Sequence, residues 1–221
     1  MPTIKLVLFD ADGVLLDSLV PHLKICEDKN KEFGLGLRIP SPSELKAMAR
    51  CGVRISPMTD FFMAVGFPKE LAKKANSQYK RLFMRRYAPA RFPQTDQMLA
   101  RLHHSGFRMG IVTSNIRTNV VESLSQSMKY FDPDLIFSKD DVASSKAEAI
   151  IAAMAKAQVT QTETLYVGDQ LADWEAAKAA GAKFLGVAFG WGLSEEDHFC
   201  PIVREVSDIA SYVLGNDIRA H

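Results

Sequence analysis

From Gln94 onward the hydrophobic pattern alternates between two periods, and that alternation restricts the fold more than any other feature of the chain. Helical spacing is expected over 94–105, 117–127, 146–157 and 171–180, and short apolar runs fit strands over 107–113, 134–138, 163–167 and 183–188. Strands joined through helices pair in parallel, so a sheet covered by helices on both faces is expected. The apolar run Ile4-Lys5-Leu6-Val7-Leu8-Phe9 must join it, because such a strand does not stay unpaired. Between Ser18 and Tyr87 no strand pattern occurs. Helices are expected there over 19–33, 42–51, 57–65 and 69–87, separated by Gly34-Leu35-Gly36, Gly52 and Gly66-Phe67-Pro68. With 221 residues and 47% hydrophobic content, the chain can bury one substantial core and one smaller module. The expected division is an α/β core over 1–17 and 89–221, interrupted by an all-α insert over 18–88.

Ligands of parallel sheets bind beyond the carboxyl ends of the strands, so the residues that follow each strand carry the functional signal. Asp10-Ala11-Asp12-Gly13 follows the first strand directly. Residues two apart on an extended chain point the same way, so both carboxylates reach one small volume. Like charges that close resist joint ionisation unless a cation joins them or one keeps a proton. The alternative is a solvated Asp turn with Gly13 at positive φ. Arg108–Val112 runs into Thr113-Ser114-Asn115, whose hydroxyls and amide suit a phosphate oxygen, or else cap the next helix. Glu163–Val167 runs into Gly168-Asp169, with Asp173 four residues on, and Asp169 alternatively caps the 171–180 helix. Ser145 and Glu148 have capping-box spacing, which makes Lys146 the first residue of its helix. A cation there opposes the helix dipole by a few tenths to ~1 kcal/mol, and local misfits of this kind gather at functional sites. Otherwise Lys146 is a solvated surface lysine.

Taken in order, these four segments resemble the haloacid dehalogenase (HAD) superfamily of phosphotransfer enzymes: Asp10-x-Asp12-Gly13-Val14, Thr113-Ser114-Asn115, Lys146, and Gly168-Asp169-x-x-x-Asp173. Leu15-Leu16-Asp17-Ser18 and Ala176-Ala177-x-Ala179-Ala180-Gly181 look like its phosphoglycolate phosphatase and β-phosphoglucomutase branch. The resemblance implies a Rossmann-like core with a helical cap domain over 18–88. It also implies Mg²⁺ held by the carboxylates of Asp10 and Asp169 and the backbone carbonyl of Asp12, with Asp173 supporting a ligand or a metal-bound water. Asp10 would be the nucleophile that forms an aspartyl-phosphate, and Asp12 the group that protonates the leaving alkoxide and then deprotonates water. Lys146, Thr113, Ser114 and Asn115 would bind the phosphoryl oxygens. An all-oxygen carboxylate set suits Mg²⁺ on chemical grounds as well. The chain departs from the branch at Ala11, where a bulkier apolar residue is common, at Gln94 in place of Gly, and at Ala147 in place of Pro.

An insert placed just after the carboxylate strand is suited to act as a lid, since both of its connections, near Asp17 and near Pro89, leave from the rim where Asp10 sits. Lys46 and Arg50 lie four apart on one expected helix and so share a face. Their spacing is similar to a basic pair in β-phosphoglucomutase caps, and His22 also looks like a position that branch uses. The alternatives are a solvated helix face and an ordinary first-turn residue. With 27 basic and 26 acidic residues, the chain has no broad basic field for nucleic acid. No apolar run approaches the ~20 residues of a membrane span, and the N-terminal apolar stretch is too short for a signal peptide. Cys26, Cys51 and Cys200 lack metal-ligand spacing and are expected to be reduced and structural. The expectation is a cytoplasmic Mg²⁺-dependent phosphatase of a small phosphorylated metabolite, phosphoglycolate phosphatase-like, and a monomer or weak homodimer. A phosphosugar mutase and a non-catalytic phosphate-sensing or partner-binding module are the two rivals.

Overall fold

The computed structural model describes residues 3–141 and 145–215, with the backbone alone over 80–85, so both ends of the expected 1–17 and 89–221 core lie outside the described residues. The chain divides into two compact units, one carrying the segments up to Leu16 and from Arg91 on, the other Asp17–Ala90.

The first unit opens with β1 (Leu6–Phe9), continuous with Asp10 at the sheet edge. A short strand, β2 (Leu16–Asp17), leads into the helical unit, made of α1 (Leu19–Phe33), α2 (Pro42–Arg50), α3 (Met58–Ala64) and α4 (Lys69–Arg86). Strand β3 (Ala90–Arg91) leads out and pairs with β2 in a two-stranded ribbon. There follow α5 (Thr95–His104), β4 (Arg108–Val112), α6 (Arg117–Leu124), β5 (Ile136–Phe137), α7 (Lys146–Ala157), β6 (Thr164–Gly168), α8 (Leu171–Ala180), β7 (Lys183–Val187), β8 (Ile202–Val203) and α9 (Val206–Val213).

The main sheet has six strands in the order β5-β4-β1-β6-β7-β8, and every pairing is parallel. Strand β1 is central. The chain moves from it to β4 and β5 on one side and then crosses to β6 on the other, which makes the crevice beside β1 the switch point where such sheets bind ligands. All four β1 residues are buried, as a strand covered on both faces requires. Val7 and Phe9 pack with Leu99, Leu102 and Ile209, from α5 and α9, while Leu6 and Leu8 pack with Ile150, Ala153 and Ala177, from α7 and α8. The period-two alternation of a strand thus sorts its side chains between two helical layers.

Several expected boundaries need correction. The 117–127 helix ends at Leu124 and gives way to a 3-10 stretch over Ser125–Tyr130, where Ser127 donates its hydroxyl to Asp96 Oδ1 at 2.5 Å. The helix stops where Ser125 leaves the helical region, at φ 16° and ψ −86°. The 134–138 strand shrinks to Ile136–Phe137 because a 3-10 turn over Pro133–Leu135 occupies its start. Gln94 adopts φ 67° at the start of α5. That left-handed backbone explains why glycine suits the position, and a residue with a Cβ there costs about 1–2 kcal/mol. Cys26, Cys51 and Cys200 are all free, but only Cys26 is buried. Cys51 is exposed at the end of α2, which corrects its expected structural role, because an exposed thiol supports no packing. Among the described residues no helix is long and apolar enough to cross a membrane.

Candidate active site

Parallel pairing in register brings three strand ends to one edge. Phe9 lies opposite Ile111 on one side and Val167 on the other, so Asp10, Thr113 and Asp169 all emerge where β1, β4 and β6 finish. Asp10 is buried; its Oδ1 accepts from the Ala11 N–H at 2.7 Å and its Oδ2 from the Lys146 ammonium at 2.7 Å. Lys146 also donates to Asp173 Oδ1 at 2.6 Å. The misfit of a cation at the start of α7 is thereby explained, since two buried carboxylates hold it there. Asp173 Oδ2 accepts from the Asp169 and Gln170 N–H groups, at 3.1 and 3.0 Å, and so also caps α8. The cap of α8 is therefore not Asp169. That residue is fully buried, accepts from the Trp191 N–H through Oδ2 at 2.6 Å, and leaves Oδ1 without a hydrogen-bond partner among the described residues.

Asp10, Asp169 and Asp173 each offer a carboxylate oxygen, and these oxygens lie within 4.8 Å of one another. Burial raises the Asp10 pKa to about 6; the Lys146 charge opposes the shift and Asp173 reinforces it. Burial, then Asp173 and Asp10, push Asp169 well above the ordinary carboxylate range. Three carboxylates and one ammonium leave a formal charge of −2 when all are ionised, in a volume with an orphaned buried oxygen. This donor set fits a hard divalent cation. Close packing fixes the geometry: a Cβ at Gly13, whose φ is 81°, would lie 2.1 Å from Asp169 Oδ2, and one at Gly190 would lie 2.3 Å from Asp169 Cβ.

Asp12 stands apart from the three-carboxylate cluster. Its Oδ2 accepts from Asn115 Nδ2 at 2.8 Å, and its Oδ1 has no hydrogen-bond partner among the described residues. Thr113 is buried and its Oγ1 accepts from the Asn115 N–H at 3.1 Å, so its own hydroxyl proton remains available to donate. Ser114 is exposed. Neither hydroxyl caps α6, whose N-cap residue is Ile116. In the helical unit, Lys46 is half-buried and Arg50 exposed on α2, while His22 is buried between Phe61 and Tyr79, sharing hydrogen bonds with the Ser18 carbonyl and the Tyr79 hydroxyl.

Two contributors escaped the sequence reading. Tyr166 sits in β6 under Lys146, with the ammonium 5.9 Å from its ring centroid, and donates its hydroxyl to the Val112 carbonyl at 3.0 Å. Gly190-Trp191-Gly192 supplies the N–H that meets Asp169. The glycines flanking Trp191 beyond a strand were the available signal.

The family model for haloacid dehalogenase-like hydrolases matches residues 7–187. A phosphoglycolate phosphatase of Vibrio parahaemolyticus is 30% identical over 87% of this chain and 87% of its own length, and one of Vibrio cholerae is 28% identical over 97% and 96%. Among solved structures, a haloacid dehalogenase-like family hydrolase from Streptococcus pneumoniae superposes with TM-score 0.78 at 22% identity, covering 95% of this chain and 98% of that one. The extent of these matches and the ordered strand-end residues agree: the chain belongs to the haloacid dehalogenase-like hydrolase family, as one of its phosphatases.

Proposed function

We propose that the protein is a Mg²⁺-dependent phosphatase of a small organic phosphomonoester, acting through an aspartyl-phosphate on Asp10. The observation that carries the reading is the buried cluster of Asp10, Asp169 and Asp173, bridged by Lys146 and left with a formal −2 charge. When bound, Mg²⁺ neutralises charge between these carboxylates and an anionic phosphoryl group. Asp10 and Asp169 would hold it with the Asp12 carbonyl, and Asp173 would orient the set through Lys146 and the Asp169 N–H.

An Asp10 oxygen attacks phosphorus in line as the ester oxygen departs with a proton from Asp12. Asp12 then accepts a proton from the water that hydrolyses the acyl phosphate. Lys146 and the Thr113 hydroxyl, with Ser114 beside them, bind the equatorial oxygens as charge spreads over them. The Vibrio relatives named for phosphoglycolate support a small, anionic leaving group, and the helical unit, with Lys46, Arg50 and His22, is proposed to select it. A cytoplasmic location and a monomeric or weakly dimeric state belong to the same proposal.

A panel of phosphorylated metabolites assayed for phosphate release tests the reading. Hydrolysis is expected with Mg²⁺ and none with EDTA; undiminished hydrolysis in EDTA would overturn the metal assignment. Isomerisation of a phosphosugar without phosphate release would make the protein a mutase, and binding without turnover would make it a sensor.

A further inference from the structure

We propose that Asn115, oriented by Asn119, is a positioning residue that directs the transferable proton of Asp12 to Oδ1. The proposal rests on the reading of Asp12 as the group that exchanges a proton with the leaving oxygen and with water.

The orientation of the Asn115 amide follows from its neighbours. Its Oδ1 accepts from the Ile116 backbone N–H at 2.8 Å and from Asn119 Nδ2 at 3.1 Å. A backbone N–H can only donate, so the oxygen must face Ile116 and the NH₂ must face the other way. There it meets Asp12 Oδ2 at 2.8 Å. A flipped amide would set its oxygen against a carboxylate and its NH₂ against a donor. Asn119 is buried in the first turn of α6, so the second donor is held by the core rather than by solvent.

The two Asp12 oxygens are thereby made unequal. Oδ2 faces an N–H donor and has its lone pair engaged, so the neutral acid carries its proton on Oδ1. Oδ1 is the buried oxygen that has no partner among the described residues. A buried acceptor without a donor is costly, and one is retained where a ligand completes it. The step balances without further reactants. The O–H bond on Oδ1 breaks as the P–O bond to the leaving group breaks, the alkoxide receives that proton, and Oδ1 later receives one from water. Asn115 exchanges no proton. Its NH₂ is therefore engaged with Asp12 rather than aimed at a phosphoryl oxygen.

The test compares kcat/KM, with saturating Mg²⁺, for p-nitrophenyl phosphate and phenyl phosphate, because proton donation matters more to the more basic leaving group. Asp12→Ala sets the reference, with a loss larger on phenyl phosphate. Asn115→Ala is expected to lose roughly 10- to 100-fold on phenyl phosphate, within the range that proton-transfer catalysis supplies, and only a few-fold on p-nitrophenyl phosphate. Asn119→Leu, which removes only the second donor, is expected to show the same pattern more weakly. The inhibition constant for inorganic phosphate should stay within about two-fold of wild type in both, as the Lys146 and Thr113 contacts remain. Equal losses on both esters, or phosphate affinity that falls with kcat/KM in Asn115→Ala, would overturn the proposal and return Asn115 to phosphate binding or to a purely structural role. An Asn119→Leu variant with a wild-type leaving-group dependence would overturn the relay from Asn119. A reference Asp12→Ala with no leaving-group bias would instead overturn the reading of Asp12, and the proposal with it.

Discussion

A carboxylate that is buried beside two others and shared with a lysine is a compromise between folding and chemistry, and Asp10 shows its sign. In the metal-free protein its pKa stands at about 6, against an ordinary value of about 3.9. Below both values the residue is neutral folded and unfolded and contributes nothing. As pH rises through 4 to 6 the unfolded chain ionises first, so folding loses stability across that window and stays penalised above it. Asp10→Asn should abolish turnover by several orders of magnitude, because an amide does not attack phosphorus. It should also raise the metal-free melting temperature relative to wild type, with the difference growing from pH 4 to pH 6 by the equivalent of ~1–3 kcal/mol. Thermal melts of both proteins in EDTA across that range check it, and a difference that shrinks with pH would contradict the assignment. Gly13→Ala tests the packing behind the site. A methyl group 2.1 Å from Asp169 Oδ2, on a backbone at φ 81°, must displace the carboxylate. Displacement by ~1 Å costs about 10²-fold in rate, so kcat should fall at least that far.

Elements with strong local signals were legible in the sequence, and those made by long-range pairing were not. Helices α1, α7 and α8 run over the expected residues because apolar spacing, a serine cap or a glycine stop marked their ends. Strands β2, β3 and β8 are two residues long, too short to show a period, and α9 opens on a capping box of Glu205 and Asp208 rather than on a Ser or Thr cap, a weaker mark in the sequence. The three strand-end segments and the Lys146 helix start were visible as residue types. Their joint geometry was not, because register between β1, β4 and β6 is set by pairing across the chain. Contacts made by backbone groups, such as Trp191 N–H on Asp169, leave little trace in side-chain identity. The start of α5 offers a test at this scale. Gln94 holds a left-handed backbone with no side-chain cap, so Gln94→Gly should stabilise the protein by about 0.5–1 kcal/mol despite the added chain entropy. Denaturant melts should show that gain with kcat unchanged.

Across the whole molecule, the residues proposed to touch the phosphoryl group come from one unit, and the other is proposed to recognise what the phosphate is attached to. Lys46→Ala or Arg50→Ala is therefore expected to raise KM for the preferred metabolite by roughly one to two decades, the worth of a charge-assisted contact. Activity on p-nitrophenyl phosphate should barely change, and equal losses on both would reject a recognition role for α2. The paired ribbon of β2 and β3 has a consequence for how such a chain can change over generations. Because departure and return are neighbours, the insert is a cassette whose ends already meet. Exchanging everything between Asp17 and Ala90 leaves the strand-end residues uncut, so in the recognition role proposed for the insert, new specificities come from recombination at one place rather than from many coordinated substitutions.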